Sequence, residues 1–383
     1  MVVSKPRPLH SVTCKAGGNR FTRYRPAALG SNLLDTLRAT LQEKPMYRKE
    51  DMVQMGPFKS SPLGCGTWQF GNTLLWGYDK QADEELQKVF NLMVSKGINL
   101  FDTADSYGTG ALEGRSEVLL GTFSREYPGS NAVRNQIHIA TKLAAYPWRI
   151  TPKQWVEACR KSLARMDAEK ISMAQLHWST ANYAPVQERL MWDGLVAIYD
   201  AGLVDAVGVS NYGPKQLEKI HTYLNKRGVP VASCQVQYSL LSRGPLQEDV
   251  KSACDDLGIA MIAYSPLGLG MLTGKHTPDD RSTYPSLPNP RSILFNQVLP
   301  GAGPLLHVLD EIASRRNKTM SQVALNWCIC KGTVPIAGAR NLKQAESNLG
   351  ALGWRLSQSE VLELDKASDL LPKRMTQNIF QTK

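Results

Sequence analysis

From about residue 60, eight short apolar runs alternate with amphipathic stretches of helical period. Glycine closes several of the helical stretches just before the next run, and no composition shift divides the chain. Together these observations predict an α/β fold: one parallel sheet with right-handed crossovers, closed as a single (β/α)8 TIM barrel. A barrel with extensions can occupy most of 383 residues as one domain. In chain order the strands are expected at 63–67, 98–102, 137–142, 172–177, 206–209, 232–237, 260–264 and 334–337. Between them, helical patterns span 84–96, 153–165, 187–201, 215–226, 247–257 and 305–316. Gly97, Gly202 and Gly258 stand where a left-handed residue ends a helix ahead of a strand. Two additions break the rhythm. The connection 266–303 after strand seven is long and rich in Pro and Gly, which predicts a functional or mobile loop. Residues 358–370 read as an extra C-terminal helix, and the tail 380–383 could pack beside the barrel mouth.

The net charge of +11 is unevenly distributed. Residues 1–45 carry eight basic and two acidic side chains, and the first acid is Asp35. This basic, hydroxyl-rich leader lacks the apolar core of a secretory signal and fits an organellar transit peptide. A disordered tail is the plainer reading, and composition does not decide between plastid and mitochondrion. The expected organisation is therefore a leader over 1–45 and a barrel over 46–383. Elsewhere no Lys/Arg tract with interleaved aromatics suggests nucleic-acid binding, and no run of about 18 apolar residues suggests a membrane span. Seven cysteines, Cys14 among them, form no CxxC pair, so neither a disulfide framework nor a metal site is expected.

In such a barrel the side chains at the strands' carboxyl ends converge on one mouth. Strand two ends in Asp102, with Tyr107 in the following loop; strand three ends in Lys142 and strand four in His177. Strand five ends in Ser210 and Asn211, strand seven in Tyr264 and Ser265, and strand eight leads to Arg340. Taken singly, Asp102 reads as a turn former, His177 as a satisfied core histidine and Lys142 as a solvated lysine. Taken together they suggest proton transfer beside a carbonyl. An ammonium favours a phenolate and would lower the pKa of Tyr107, and a neutral imidazole can donate to a carbonyl oxygen. The pattern suits hydride reduction, in which negative charge develops on oxygen and must be stabilised and protonated. No GxGxxG motif follows an early strand, so a Rossmann site is absent. The glycine-rich stretch 268–275 misses P-loop spacing. It reads as a phosphate-facing loop or simply a flexible one, and Arg340 as an anion ligand near a helix amino terminus or a surface arginine.

These segments resemble the aldo-keto reductase family: Gly66-Thr67-Trp68, Phe101 to Tyr107, Ala140-Thr141-Lys142, Gln175-Leu176-His177, Gly208 to Asn211, Gln235 within Cys234 to Ser239, and Tyr264 to Gly268. They occur in the family's order across roughly 52–370. Further segments, among them Leu74 to Tyr78, Lys142 to Trp148 and Leu349 to Trp354, are similar to the branch that reduces pyridoxal in plant chloroplasts. The resemblance implies a tetrad of Asp102, Tyr107, Lys142 and His177, with Tyr107 as the acid, Lys142 held by Asp102, and His177 orienting an aldehyde. It implies NADPH as cofactor. Gly66, Thr67 and Trp68 would lie beside it, and Ser210, Asn211 and Gln235 would hold the carboxamide. Tyr264 would stack on the nicotinamide, and Ser265, Leu267 and Gly268 would meet the pyrophosphate. Arg340, Gln344 and Asn348 would bind the adenosine end, Arg340 at the 2′-phosphate. The segment Gly338 to Asn341 lacks the Lys-Ser pair of many relatives. Trp68, Trp76, Tyr146, Trp148 and Trp178 suit a flat ring such as pyridoxal, or else pack in the core. The implied reaction is reduction of pyridoxal to pyridoxine in the plastid stroma. A broad aldehyde reductase is one alternative. Another is an NADPH-binding regulatory subunit resembling potassium-channel β subunits.

Overall fold

The computed structural model describes residues 43–375 and 378–383. Eight parallel strands form one sheet in sequential order: β3 (Cys65–Gly66), β4 (Leu100–Asp102), β5 (His138–Leu143), β6 (Ile171–Leu176), β7 (Val204–Ser210), β8 (Val231–Gln237), β9 (Ala260–Tyr264) and β10 (Val334–Pro335). The first and last strands meet through a parallel bridge between Gly64 and Ile336. There Gly64 N–H donates to Pro335 O at 2.9 Å and Ala337 N–H to Gly64 O at 3.2 Å. The barrel is therefore closed. A Cβ on Gly64 would lie 2.9 Å from Ile336 Cγ2, so closure at this seam needs glycine. The expected strands 63–67 and 334–337 shrink to two residues each plus the bridge, because the chain leaves the ladder quickly on both sides of the seam.

The crossovers are α1 (Asp83–Ser95), α2 (Arg115–Arg125), α3 (Pro152–Met166), α4 (Pro185–Asp200), α5 (Pro214–Asn225) and α6 (Pro245–Asp256). Four of them begin on proline, whose missing N–H costs nothing at a first helical position. Gly202 and Gly258, at φ 68° and 65°, turn the chain from helix into strand. The connection after β9 is not a bare loop: it winds into a 3-10 turn at Gly268–Thr273 and then α7 (Arg291–Val298). Next come α8 (Gly303–Arg316), α9 (Met320–Cys330), α10 (Leu342–Leu349) and the extra helix α11 (Gln358–Asp369). The tail crosses the mouth, where Thr382 N–H donates to Asn211 O and Gly213 N–H donates to Thr382 Oγ1.

An antiparallel hairpin, β1 (Val53–Met55) and β2 (Phe58–Ser60), plugs the end of the barrel opposite the mouth. Met55 and Phe58 join a buried cluster with Leu100, Ala140, Met173, Ala206, Ala232, Ala260 and Ile336. Phe58 stacks on His138 at 4.1 Å. The alanines leave room for the plug. Of the expected leader, 1–42, including Cys14, lies outside the described residues. Glu43–Pro45 pack on the barrel: Ser130 N–H and Oγ both donate to the Glu43 carboxylate at 2.8 Å, and Lys44 N–H donates to Ser95 O. Among the described residues, no helix is long and apolar enough to cross a membrane.

Candidate active site

One cavity of about 1280 Å³ opens at the carboxyl ends of the strands. That exceeds the usual range for a small ligand alone. Asp102, Tyr107, Lys142 and His177 all line it. Strand register explains the grouping. Asp102 pairs in register with Ala140 and Lys142 with Gln175, so adjacent strands end at one level. Lys142 is 1% exposed, and its Nζ donates to Asp102 Oδ1 at 2.5 Å and Thr103 O at 2.8 Å. Gln235 Nε2 donates to Asp102 Oδ2 at 2.7 Å and Gln175 Nε2 to the same oxygen at 3.4 Å. A buried ion pair persists when its charges are hydrogen-bonded; here the Asp102 carboxylate accepts from three side chains and Lys142 Nζ donates to two oxygens.

Above this pair, the Lys142 ammonium sits 4.9 Å from the centre of the Tyr107 ring. The Tyr107 and His177 rings meet edge to face at 5.7 Å. Burial, with the Lys142 charge, holds the His177 imidazole well below its ordinary pKa, so it is neutral. Burial also pushes Tyr107 well above the ordinary phenol value, with the Asp102 and Tyr264 charges adding to the rise. This corrects the expectation that Lys142 lowers it. Burial of the phenol is the larger influence, and the ammonium at 4.9 Å does not offset it. Two neutral donors therefore face the cavity. Such a pair can hold a carbonyl oxygen and give it a proton as charge develops.

The neighbouring wall is held by Asn211, a non-glycine residue at φ 62°. Its Nδ2 donates to His177 O at 3.0 Å, and Tyr264 OH donates to its Oδ1 at 2.9 Å. Strain of this kind persists only where neighbours fix it. Ser210, Gln235, Tyr264, Ser265 and Leu267 also line the cavity. Gly66, Thr67 and Gly268 stand behind the lining; Thr67 Oγ1 donates to Asp102 O at 2.8 Å. Farther along lie Arg340, Gln344 and Asn348. Gln344 Oε1 accepts from Arg340 N–H at 2.9 Å, and Asn348 Nδ2 donates to Gly338 O at 3.2 Å.

The five expected pocket aromatics separate. Trp68 lines the cavity, and Trp178 borders it with its ring 5.1 Å from that of His177 and stacked on Phe380 at 5.2 Å. Trp76 lines the far, cationic end, where the Arg340 guanidinium donates to its carbonyl at 3.0 Å. Tyr146 and Trp148 do not reach the cavity. They stack on each other at 4.6 Å, and Tyr146 lines a separate cleft with Asp105, Glu113 and Arg149, because the chain after β5 turns outward. Sequence reasoning gave no role to Gln175, His276, Arg291, Lys343 and Asn378, and took Lys275 only as the end of the glycine-rich stretch 268–275. Gln175, two positions before His177 on an inward face, and Lys275, closing the glycine-rich stretch, carried a signal; the others come from a loop, two helices and the tail.

Comparison with known proteins agrees with this geometry. The profile of the Aldo/keto reductase family matches residues 62–369. The chain is 52% identical over 383 residues to the chloroplastic pyridoxal reductase of Arabidopsis thaliana, covering all of both chains. It is 26% identical to probable pyridoxal reductase 2 of Schizosaccharomyces pombe, over 82% of this chain and 92% of that one. A glycerol dehydrogenase from Gluconobacter oxydans shares the fold, with a TM-score of 0.68 at 23% identity over 88% of this chain and 100% of that one. Family profile, full-length relative and barrel coincide, and the chain belongs to the aldo/keto reductase family of oxidoreductases.

Proposed function

We propose that this oxidoreductase reduces pyridoxal to pyridoxine with NADPH. The observation that carries the reading is a single cavity with two neutral donors, Tyr107 and His177, over the Lys142–Asp102 pair at one end and Arg340 with other cations at the opposite end. The full-length relative, a pyridoxal reductase, supports the substrate. The cavity suits a dinucleotide in size and charge. Ser210, Asn211 and Gln235 would hold its carboxamide and Tyr264 would lie against the nicotinamide. Ser265 and Leu267 would meet the pyrophosphate, with Gly66, Thr67 and Gly268 shaping the backbone around it. Arg340, Gln344 and Asn348 would take the adenosine end. When bound, the cofactor supplies hydride to the aldehyde carbon. His177 donates a hydrogen bond to the carbonyl oxygen, and Tyr107 passes its proton to that oxygen as negative charge accumulates. Lys142, fixed by Asp102, then stabilises the phenolate left on Tyr107. Trp68 and Trp178 would flank the flat ring of the substrate. We further propose that the basic segment ahead of Glu43 is a plastid transit peptide, a reading supported by its composition and by the chloroplastic relative.

The test is NADPH oxidation by the protein with pyridoxal, pyridoxal phosphate, methylglyoxal and a nitrobenzaldehyde over concentration series. A kcat/KM for pyridoxal well above the others is expected. Equal values would make the enzyme a general aldehyde reductase, and no turnover with any would favour an NADPH-binding regulatory role.

A further inference from the structure

The loop after β4 brings a further side chain to the reacting end, one residue ahead of Tyr107. Ser106 lines the cavity with Tyr107 and His177, and its Oγ lies 3.4 Å from His177 Nδ1. The loop is anchored on both sides of it. The buried Asp105 carboxylate accepts from Ala144 N–H at 3.1 Å and from Arg149 Nη1 at 2.6 Å, and Asp105 N–H donates to Lys142 O at 2.9 Å. Tyr107 N–H closes the turn on Ala104 O at 3.1 Å. Across the gap, His177 N–H donates to Leu143 O at 3.0 Å, and His177 O accepts from Asn211 Nδ2 at 3.0 Å. Hydroxyl and imidazole therefore meet from two fixed segments. Among the described residues, Ser106 Oγ is the one hydrogen-bond partner of the His177 ring, and His177 Nδ1 is the one partner of that hydroxyl.

A neutral imidazole carries one proton on two nitrogens, so one nitrogen donates and the other accepts. A hydroxyl can satisfy Nδ1 in either role. The two roles differ at the other nitrogen. If Nδ1 accepts from Ser106, Nε2 carries the proton and is left to the cavity as a donor. If Nδ1 donates, Nε2 presents a lone pair, which repels a carbonyl oxygen. Among the described residues the Ser106 hydroxyl proton has no acceptor but Nδ1, which favours the first arrangement. We infer that Ser106 is a positioning residue that fixes His177 in the Nε2–H tautomer by donating its hydroxyl proton to Nδ1. This rests on the aldehyde-reduction reading above and deepens it: one short loop supplies both the acid, Tyr107, and the group that makes His177 a donor. Catalytic hydrogen bonds of this length commonly tighten once substrate is bound.

The experiment reads the tautomer directly. The whole protein is prepared with isotope-labelled histidine, and NMR correlates each ring nitrogen with the ring protons. The chain has six histidines, few enough to resolve, and His177→Asn identifies the His177 signals by their loss. The expected wild-type pattern is an unprotonated Nδ1 and a protonated Nε2. Ser106→Ala should give a mixed or reversed pattern, lower kcat for pyridoxal about three- to tenfold and leave NADPH affinity unchanged. Ser106→Thr, which keeps the hydroxyl, should restore both the tautomer and kcat. A role confined to loop packing would not move the tautomer. A proton on Nδ1 in wild type overturns the inference. So does a wild-type tautomer in Ser106→Ala, even with kcat lowered, since that would place the hydroxyl on the substrate instead. If wild type oxidises NADPH with none of the aldehydes, the proposed function falls and the role of Ser106 falls with it. The tautomer is read without turnover, so its failure removes the inference alone.

Discussion

The two ends of the cavity are built on opposite principles. At the Tyr107 end every charge is answered within the chain: Lys142 by Asp102, Asp102 by Gln235 and Gln175, and the imidazole of His177 by being neutral. At the Trp76 end the charges are alike and three buried side-chain polar atoms are unmatched. On the proposed reading, the contrast separates an end built for chemistry from an end built for binding. A reacting centre gains from fixed, prepaid dipoles that need not reorganise as charge moves. A binding site for an anion gains from charge left uncompensated until the anion arrives.

The sharpest way to break this contrast is at the proton donor. Tyr107→Phe should lower kcat by about 10²- to 10⁴-fold and leave NADPH affinity, read by fluorescence titration, near wild type; near-normal turnover would remove Tyr107 from the donor role. Next, Lys142→Met strands a buried carboxylate and should lower unfolding free energy by about 3–5 kcal/mol. The double variant Lys142→Met/Asp102→Leu should recover stability in urea melts without recovering turnover. At the plugged end of the barrel, far from both, Phe58→Ala should cost about 3 kcal/mol while kcat stays close to wild type. Arg340→Ala should weaken NADPH about tenfold and NADH hardly at all; an equal effect on both would take Arg340 away from the 2′-phosphate. The smallest effect is a pH slope. Because the folded pKa of His177 is depressed, the unfolded chain takes up a proton that the native one refuses as pH falls below about 6.5. Stability should therefore decline by up to about 1.4 kcal/mol per pH unit there through this residue, and His177→Asn should remove that part of the slope.

The same contrast explains what could be read beforehand. Asp102, Lys142 and His177 were legible because strand ends are legible: period, helix-closing glycines and barrel geometry put consecutive carboxyl ends at one level. The Trp76 end is assembled from residues 76, 276, 291 and 340, which share no period and no motif, so only the folded chain shows that two arginines meet on one ring. The hairpin was readable in principle, since Met55 and Phe58 point inward while Gln54 and Lys59 point out around a Gly56-Pro57 turn. At three residues a strand it gives little period to detect. The direction of the Tyr107 shift was missed for another reason: the sequence shows an ammonium nearby but not how completely the fold buries the phenol.

The central claim is that one cavity holds a dinucleotide with its reacting ring at Tyr107 and its phosphorylated ribose at Trp76. A crystal structure of the protein with NADP⁺ tests it most directly. The account predicts the nicotinamide within reach of Tyr107 and His177 and the 2′-phosphate at hydrogen-bonding distance from the Arg340 guanidinium. A dinucleotide bound in the reverse sense, or with its 2′-phosphate in solvent away from Arg340, would contradict it.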